Sequence, residues 1–466
     1  MITLDNITEE NKRLEEYFID KLEVNHDLKR TLVSFQANKK TPGYRWYKFK
    51  EGYSSELVKY VFSKLNIKKG KLIDPFTGSG TSQFVSSELG LDSMGIELLP
   101  IGVDIVNTRK FIFNGNQGDI VEFLTKFNEG KPWLDAKKST PLNYLRITDG
   151  AFPKKTEELI GKYLYTIGQK ENKEYENILR FALLCILESI SYTRKDGQYL
   201  RWDYRAGKNG GKSTFDKGKI EEFNVAITNK IQEIINDLHE NSALFNFNKN
   251  ATNKGKIELK QGSCLTVLPT LESNSFDVLM TSPPYCNRYD YTRTYALELA
   301  LLGVDEEKIR QLRQDMMSCT VENREKENLN GVFSSSIYSE AKQAFDNQIA
   351  LQNIIKYLYE KKESKELNNP GIARMVKNYF FEITLIIFEC ARVLKKNSYF
   401  VMVNDNVRYA GANIPVDLIL SNIAEKAGFI VEKIWVLPVG KGNSSQQMGV
   451  HGREELRKCV YVWKKL

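Results

Sequence analysis

The chain has 466 residues, 41% hydrophobic and 27% charged, with a net charge of +8, which describes a globular protein of roughly two or three domains with a sizeable core. The basic excess points to a polyanionic partner, and the polar N-terminus carries no secretory signal, so a cytoplasmic protein is expected. Six scattered cysteines without a CxxC pair and only three histidines exclude a readable metal site or disulfide framework, and no apolar run is long enough to span a bilayer.

Residues 1–35 read as a polar helical lead-in, with Leu14, Tyr17, Phe18 and Leu22 at helical spacing. Lys39–Tyr53 is basic and aromatic and turns at Pro42-Gly43. Ser54–Leu65 is an amphipathic helix. Lys71–Asp74 is a short strand, Pro75–Gly80 a glycine-bearing turn, Thr81–Leu89 a helix and Asp92–Glu97 a second strand. A βαβ unit therefore starts here, with Glu97 closing its second strand.

Between residues 105 and 255 the alternation stops. A helical core, Ile178–Thr193, leads into a basic loop region, Arg194–Lys219, which is either a solvated surface or a polyanion-contacting insert. Its stretch SYTRKDGQYLRWDYR interleaves rings with cations, which favours contact and singles out Lys195, Arg201 and Arg205. Strands resume at Lys256–Lys260 and Ser275–Met280. A second insert begins at Arg288–Leu302 and runs through a charged, helical 304–365. Tyr379–Leu394 is an apolar helix and Tyr399–Val403 a strand. Phe429–Leu437 and Lys458–Lys464 read as a closing hairpin around the loop Gly440–Arg453, where His451 is a candidate phosphate contact. Seven strands with helices between them predict an α/β protein with a doubly wound sheet.

The stretch Val278–Tyr285, VLMTSPPY, is the centre of the functional reading. Pro283 and Pro284 end a buried strand and hold the backbone extended at its carboxyl edge, where such sheets bind ligands. A Ser282 hydroxyl and the carbonyl of Pro283 can accept hydrogen bonds from a planar amino group. The Tyr285 ring can stack on the ring that carries it. Gly78 and Gly80 let a ligand approach the backbone closely. Asp74 at the head of that turn suits an ammonium group, and Glu97 can accept from two hydroxyls. The dinucleotide pattern GxGxxG is absent.

The blocks Asp74-Pro75-Phe76-Thr77-Gly78-Ser79-Gly80-Thr81 and Thr281-Ser282-Pro283-Pro284-Tyr285 together resemble the DNA amino-methyltransferases. In that family the first block is the S-adenosylmethionine loop and the second the catalytic turn. The resemblance implies a class I methyltransferase Rossmann-like sheet with an antiparallel last strand, plus largely helical inserts. It implies cofactor contacts from Asp74, Phe76, Gly78, Gly80, Thr81 and Glu97. Tyr47–Tyr53 is similar to the segment that touches the cofactor's methionine end, which adds Lys50 and Tyr53. Gln261-Gly262-Ser263-Cys264 is similar to the segment near the adenine, with Ser263 where Asp is common. Arg392-Val393-Leu394-Lys395 resembles the run before a strand, with Lys396-Asn397 in place of Pro-Gly.

The cofactor block precedes the catalytic one, an order in which the target-recognition region lies between them. The expected units are 1–104 with the cofactor loop, 105–255 as candidate recognition insert, 256–303 with the catalytic turn, 304–370 as helical insert, and 371–466. The second insert is a rival for recognition. Arg288, Tyr289 and Arg293, directly after the catalytic turn, are further candidates for DNA contact. The expected reaction is methylation of cytosine N4 in double-stranded DNA, with adenine N6 as the alternative, then an RNA base, then an inactive DNA-binding subunit. A cognate restriction endonuclease is a further candidate partner.

Overall fold

The computed structural model describes residues 2–196, 199–208, 214–244, 254–438 and 454–466. Its strands in chain order are β1 (Leu22–Val24), β2 (Lys71–Asp74), β3 (Asp92–Glu97), the ribbon β4 (Thr193–Asp196) and β5 (Tyr199–Trp202), β6 (Ile257–Gln261), β7 (Phe276–Thr281), β8 (Leu394–Asp405), the short pair β9 (Val407–Tyr409) and β10 (Ala412–Ile414), β11 (Phe429–Val436) and β12 (Lys458–Lys465). Eight of them form one sheet, ordered β1-β11-β12-β8-β7-β2-β3-β6. Only β12 runs antiparallel to its neighbours, β8 and β11. This is the class I methyltransferase arrangement of the doubly wound sheet.

The alternation of side chains sorts the core onto the two faces of the sheet. Leu72, Val278, Met280, Val401, Val403, Val460 and Val462 meet Leu57, Val61, Phe84 and Val106 from the helices Ser55–Lys64, Thr81–Glu88 and Pro100–Asn114. Their neighbours Ile73, Leu279, Phe400, Met402, Tyr461 and Trp463 meet the helices Gly371–Val393 and Val416–Lys426 on the other face. Central parallel strands are covered on both sides, which is why they read as continuous apolar runs.

From β2 the chain moves out to β3 and β6, then returns past β2 to β7 and β8. Leu72 pairs with Val278 and Ile73 with Leu279. The sheet therefore reverses direction between β2 and β7, and both motif turns leave it at that point.

A second core lies away from the sheet. The helices Gln117–Gly130, Lys154–Gly168, Lys173–Ile190 and Phe223–Leu244 bury Trp133, Tyr163, Phe181 and Phe223 among themselves. Tyr295, Leu297 and Leu299, from the segment after the catalytic turn, are buried in the same cluster.

Two expectations need correction. The helical lead-in stops at Tyr17, and Leu22–Val24 is instead an edge strand paired in parallel with β11, which supplies main-chain partners that periodicity cannot reveal. The basic region after Thr193 is not all loop, because β4 and β5 form an antiparallel ribbon. The closing hairpin is formed as expected, with the antiparallel last strand β12 set between β8 and β11. Asn397 occupies the left-handed region at φ 62° beside the register shift between β7 and β8, the conformation a glycine would otherwise supply. The loop Gly440–Arg453, with His451, lies outside the described residues.

Gly95 in β3 has no space for a methyl group. An added Cβ would stand 2.1 Å from Thr77 Oγ1 and 2.5 Å from Gln83 Oε1. Gly95→Ala is expected to destabilise the fold by about 1–3 kcal/mol, read as a lower urea midpoint with an unchanged m-value.

Candidate active site at the sheet reversal

Asp74 ends β2 and is buried. Its Oδ1 accepts from the backbone amide of Phe76 at 3.0 Å and from the Thr281 hydroxyl at 2.6 Å. Its Oδ2 accepts from the Ser82 hydroxyl and from Tyr53 at 3.3 Å. Burial raises its pKa, and these hydrogen bonds oppose the rise. Three of these donors are its own, while the one Tyr53 proton is shared with a second acceptor, and Asp74 borders the cleft described below. The residue also joins the turn after β2 to the end of β7. Tyr53 also bonds the Met280 carbonyl at 3.3 Å, which repeats the connection.

A cleft of about 820 Å³ opens along this joint. Phe76, Gly78, Thr81, Glu97, Tyr53, Ser263 and Cys264 line it, together with Ser282 and Pro284. Gly80 and Lys50 do not. Gly80 instead caps the helix Thr81–Glu88 in the left-handed conformation, and Lys50 bonds the Lys195 carbonyl. Gly78 has φ +55°, and a Cβ there would lie 2.9 Å from the Phe49 ring. Its amide donates to Glu97 Oε2 at 2.7 Å, and the Leu99 amide donates to Oε1 at 2.7 Å. Glu97 lines the cleft. Burial pushes its carboxyl up to about 7 against the backbone amides of Leu99, Gly78 and Leu98. Ser263 donates to the Asp315 carbonyl at 2.7 Å.

Sequence reasoning missed part of the lining. Glu51, Leu98, Leu99, Tyr291, Met316 and Met317 also border the cleft. Glu51 accepts from the phenols of Tyr289 and Tyr295. The two methionines come from the second insert, and their sequence carries no signal beyond adjacency to each other.

At the far side, Ser282 Oγ lies 3.2 Å from both the Val403 carbonyl and the Tyr285 hydroxyl. Pro283 is buried beneath the turn. Tyr285 stands beyond the cleft lining, beside Lys458 of β12, whose ammonium is 5.2 Å from the ring centre. Asp405 Oδ1 lies 3.0 Å from that ammonium, an ion-pair contact. Burial raises the Tyr285 pKa and the Lys458 charge opposes it.

The residues expected to touch DNA divide into two groups. Lys195 is 4% exposed and pairs with Glu298, which also accepts from Tyr47 at 2.9 Å. A buried, paired ammonium does not fit the phosphate contact expected of Lys195. Arg205 is engaged by Asp203 and by the Gly218 carbonyl at 2.7 Å. Arg201 is exposed on the ribbon, 3.4 Å from Asp196 and stacked 4.1 Å over Phe215. Arg293 is exposed beside Asp290 and Glu322. Arg288 has a left-handed backbone at φ 66°, rare for a side chain of its size. The Tyr289 phenol faces Glu51 rather than solvent.

Removing the Thr281 hydroxyl leaves one acceptor on buried Asp74 without its donor. Thr281→Val is expected to cost about 1–3 kcal/mol, read by thermal unfolding.

No protein-family model matches the chain, and no solved structure matches it. Among curated proteins it is 53% identical over 465 residues to the Type II methyltransferase M.AvaI of Nostoc sp. (strain PCC 7120 / SAG 25.82 / UTEX 2576), covering 99% of this chain and 94% of that protein. The protein of the same name from Anabaena variabilis gives the same figures. The Type II methyltransferase M.BsoBI of Geobacillus stearothermophilus is 41% identical over 479 residues, covering 98% of this chain and 92% of that protein. With such identity along nearly its whole length, the chain belongs to the Type II methyltransferases, the DNA methyltransferases of restriction–modification systems.

Proposed function

We propose that this DNA methyltransferase moves a methyl group from S-adenosylmethionine to the exocyclic N4 of cytosine. The observation that carries this reading is the Asp74–Thr281 hydrogen bond, which sets the glycine turn and the Ser282-Pro283-Pro284-Tyr285 turn on one cleft. The form with serine before Pro-Pro resembles the cytosine members of the amino-methyltransferases.

The cleft fits the cofactor. The Glu97 carboxylate lines it and suits a pair of ribose hydroxyls. At Gly78 a side chain would run into the Phe49 ring, so the backbone there stays bare along the cleft. Phe76, Thr81, Tyr53, Ser263 and Cys264 complete the wall. When bound, S-adenosylmethionine supplies an electrophilic methyl group.

The chain's own residues orient the acceptor. The target base leaves the duplex to reach this edge. The Ser282 oxygen and the Pro283 carbonyl accept hydrogen bonds from its amino group, which raises the availability of the nitrogen lone pair. The Tyr285 ring stacks on the base. Alignment of nitrogen and methyl supplies on the order of several kcal/mol of the barrier reduction. The N–C bond would form as the methyl–sulfur bond breaks with its electron pair left on sulfur, the proton lost by the amine would pass to solvent, and no covalent bond to the protein is needed. Arg201, Arg205, Arg288, Tyr289 and Arg293 are the proposed DNA contacts, with residues 105–255 as the recognition region.

Glu97 gives this reading a pH signature. Its folded value of about 7 lies above the unfolded value of 4.5. The folded state therefore holds the proton more tightly. The apo-protein gains stability from this carboxyl as pH falls from about 7 toward 4.5, and the ionised form costs stability above 7. Hydroxyl acceptance needs the ionised form, so S-adenosylmethionine binding runs the other way. Its Kd is expected to rise below pH 7, approaching about tenfold per unit, and Glu97→Gln should abolish that slope in calorimetric titrations.

The reaction itself is tested by nucleoside mass spectrometry on DNA from a methylase-free host. N4-methylcytosine is expected with the wild type and is reduced roughly tenfold or more with Tyr285→Ala, for the loss of one stacked ring. N6-methyladenine would replace cytosine with adenine as the target. A complete lack of modified bases would sink the reading.

A further inference from the structure

β12 is the one antiparallel strand of the main sheet, so it alone delivers its first residue to the carboxyl edge where the parallel strands end. That residue is Lys458. The register sets it opposite Asp405, the last residue of β8. Arg457, just before it, is drawn to the other face by Asp417 at 2.7 Å and Glu15 at 2.7 Å. Lys458 is thereby directed at the catalytic turn. Its side chain is 23% exposed and that of Asp405 16%. The pair is largely withdrawn from solvent, where lysine and aspartate are seldom found unless they are used or well matched.

We propose that Lys458 is a positioning residue for methyl transfer, acting through the phenol of Tyr285. This rests on the roles proposed above for Ser282 and Tyr285. An ammonium has donors and no acceptor. Toward the phenol oxygen it can only donate, and in this proposal that donation, from an ammonium 5.2 Å from the ring centre, displaces the one the Ser282 hydroxyl makes there at 3.2 Å. The Ser282 proton then turns to its other neighbour, the Val403 carbonyl, also at 3.2 Å. A serine lone pair is left facing the cleft for the amino group of the base. The cation, 5.2 Å from the ring centre, also restrains the plane of the tyrosine ring. Asp405 neutralises the charge, so the turn gains a fixed donor without a net positive field where the base acquires positive charge.

The test is a double-mutant cycle on the single-turnover rate with saturating DNA and S-adenosylmethionine. Lys458→Met is expected to lower the rate roughly tenfold while leaving S-adenosylmethionine affinity within about a factor of two of the wild type. Tyr285→Phe keeps the ring but removes the phenol oxygen, and is expected to lose a similar factor. In the Tyr285→Phe background, Lys458→Met should then change nothing further, because its target atom is gone. Losses that multiply in the double variant, or a Lys458→Met rate equal to wild type, overturn the inference and leave the proposed reaction standing. If the wild type transfers no methyl group to DNA, the reading of the site falls and takes this inference with it. Should Lys458→Met fail to fold, Asp405→Asn releases the ammonium at nearly constant volume and enters the same cycle with the same expected outcomes.

Discussion

One buried carboxylate holds the two halves of this site together. Asp74 and Thr281 are far apart in sequence, yet their side chains meet because β2 and β7 are neighbours in the sheet. A carboxylate with four donors is costly to disturb, since each lost donor leaves a buried acceptor without water to replace it. The glycine turn, the cap of the helix Thr81–Glu88 and the end of β7 are therefore set relative to one another by the same group. The cleft between them has its shape before any ligand arrives, the preorganisation on which catalysis by alignment depends.

A second knot ties the helical body to this centre. Tyr47, Lys195 and Glu298 come from the Lys39–Tyr53 segment, the ribbon and the segment after the Ser282–Tyr285 turn. A buried ion pair adds little net stability, but separating it would leave a charge buried and unpaired, which penalises other placements of the ribbon. Glu51 works alongside it by receiving the phenols of Tyr289 and Tyr295 while lining the cleft. The segment after the catalytic turn is thus anchored both to the wall of the cleft and to the body that packs Tyr295 and Leu299.

The basic residues are less freely disposed than the net charge of +8 suggests. Lys195, Arg205 and Lys458 all hold internal partners. Part of the positive charge is spent on internal order, and Arg201 and Arg293, though exposed, also stand beside carboxylates. Arg457 shows the same economy, since it joins the first helix to the helix Val416–Lys426 through Glu15 and Asp417.

The sequence by itself determined the seven strands, the two motif turns and the doubly wound class, because each of these is local. An apolar run of four to six residues reads as a buried strand wherever it stands, and Asp74–Thr81 and Ser282–Tyr285 announce themselves by residue type. The tertiary structure alone decided what meets what. Leu22–Val24 is a strand only because β11 pairs with it. Lys195 looks like a surface cation among cations until β4 turns it inward against Glu298, while Arg194 on the same strand points out. Met316 and Met317 reach the cleft from an insert whose sequence shows only charged helices. Lys458 sits near Tyr285 because one strand runs against the rest. These contacts join residues tens to hundreds of positions apart, and the register of one strand against another fixes them, which no window of sequence contains.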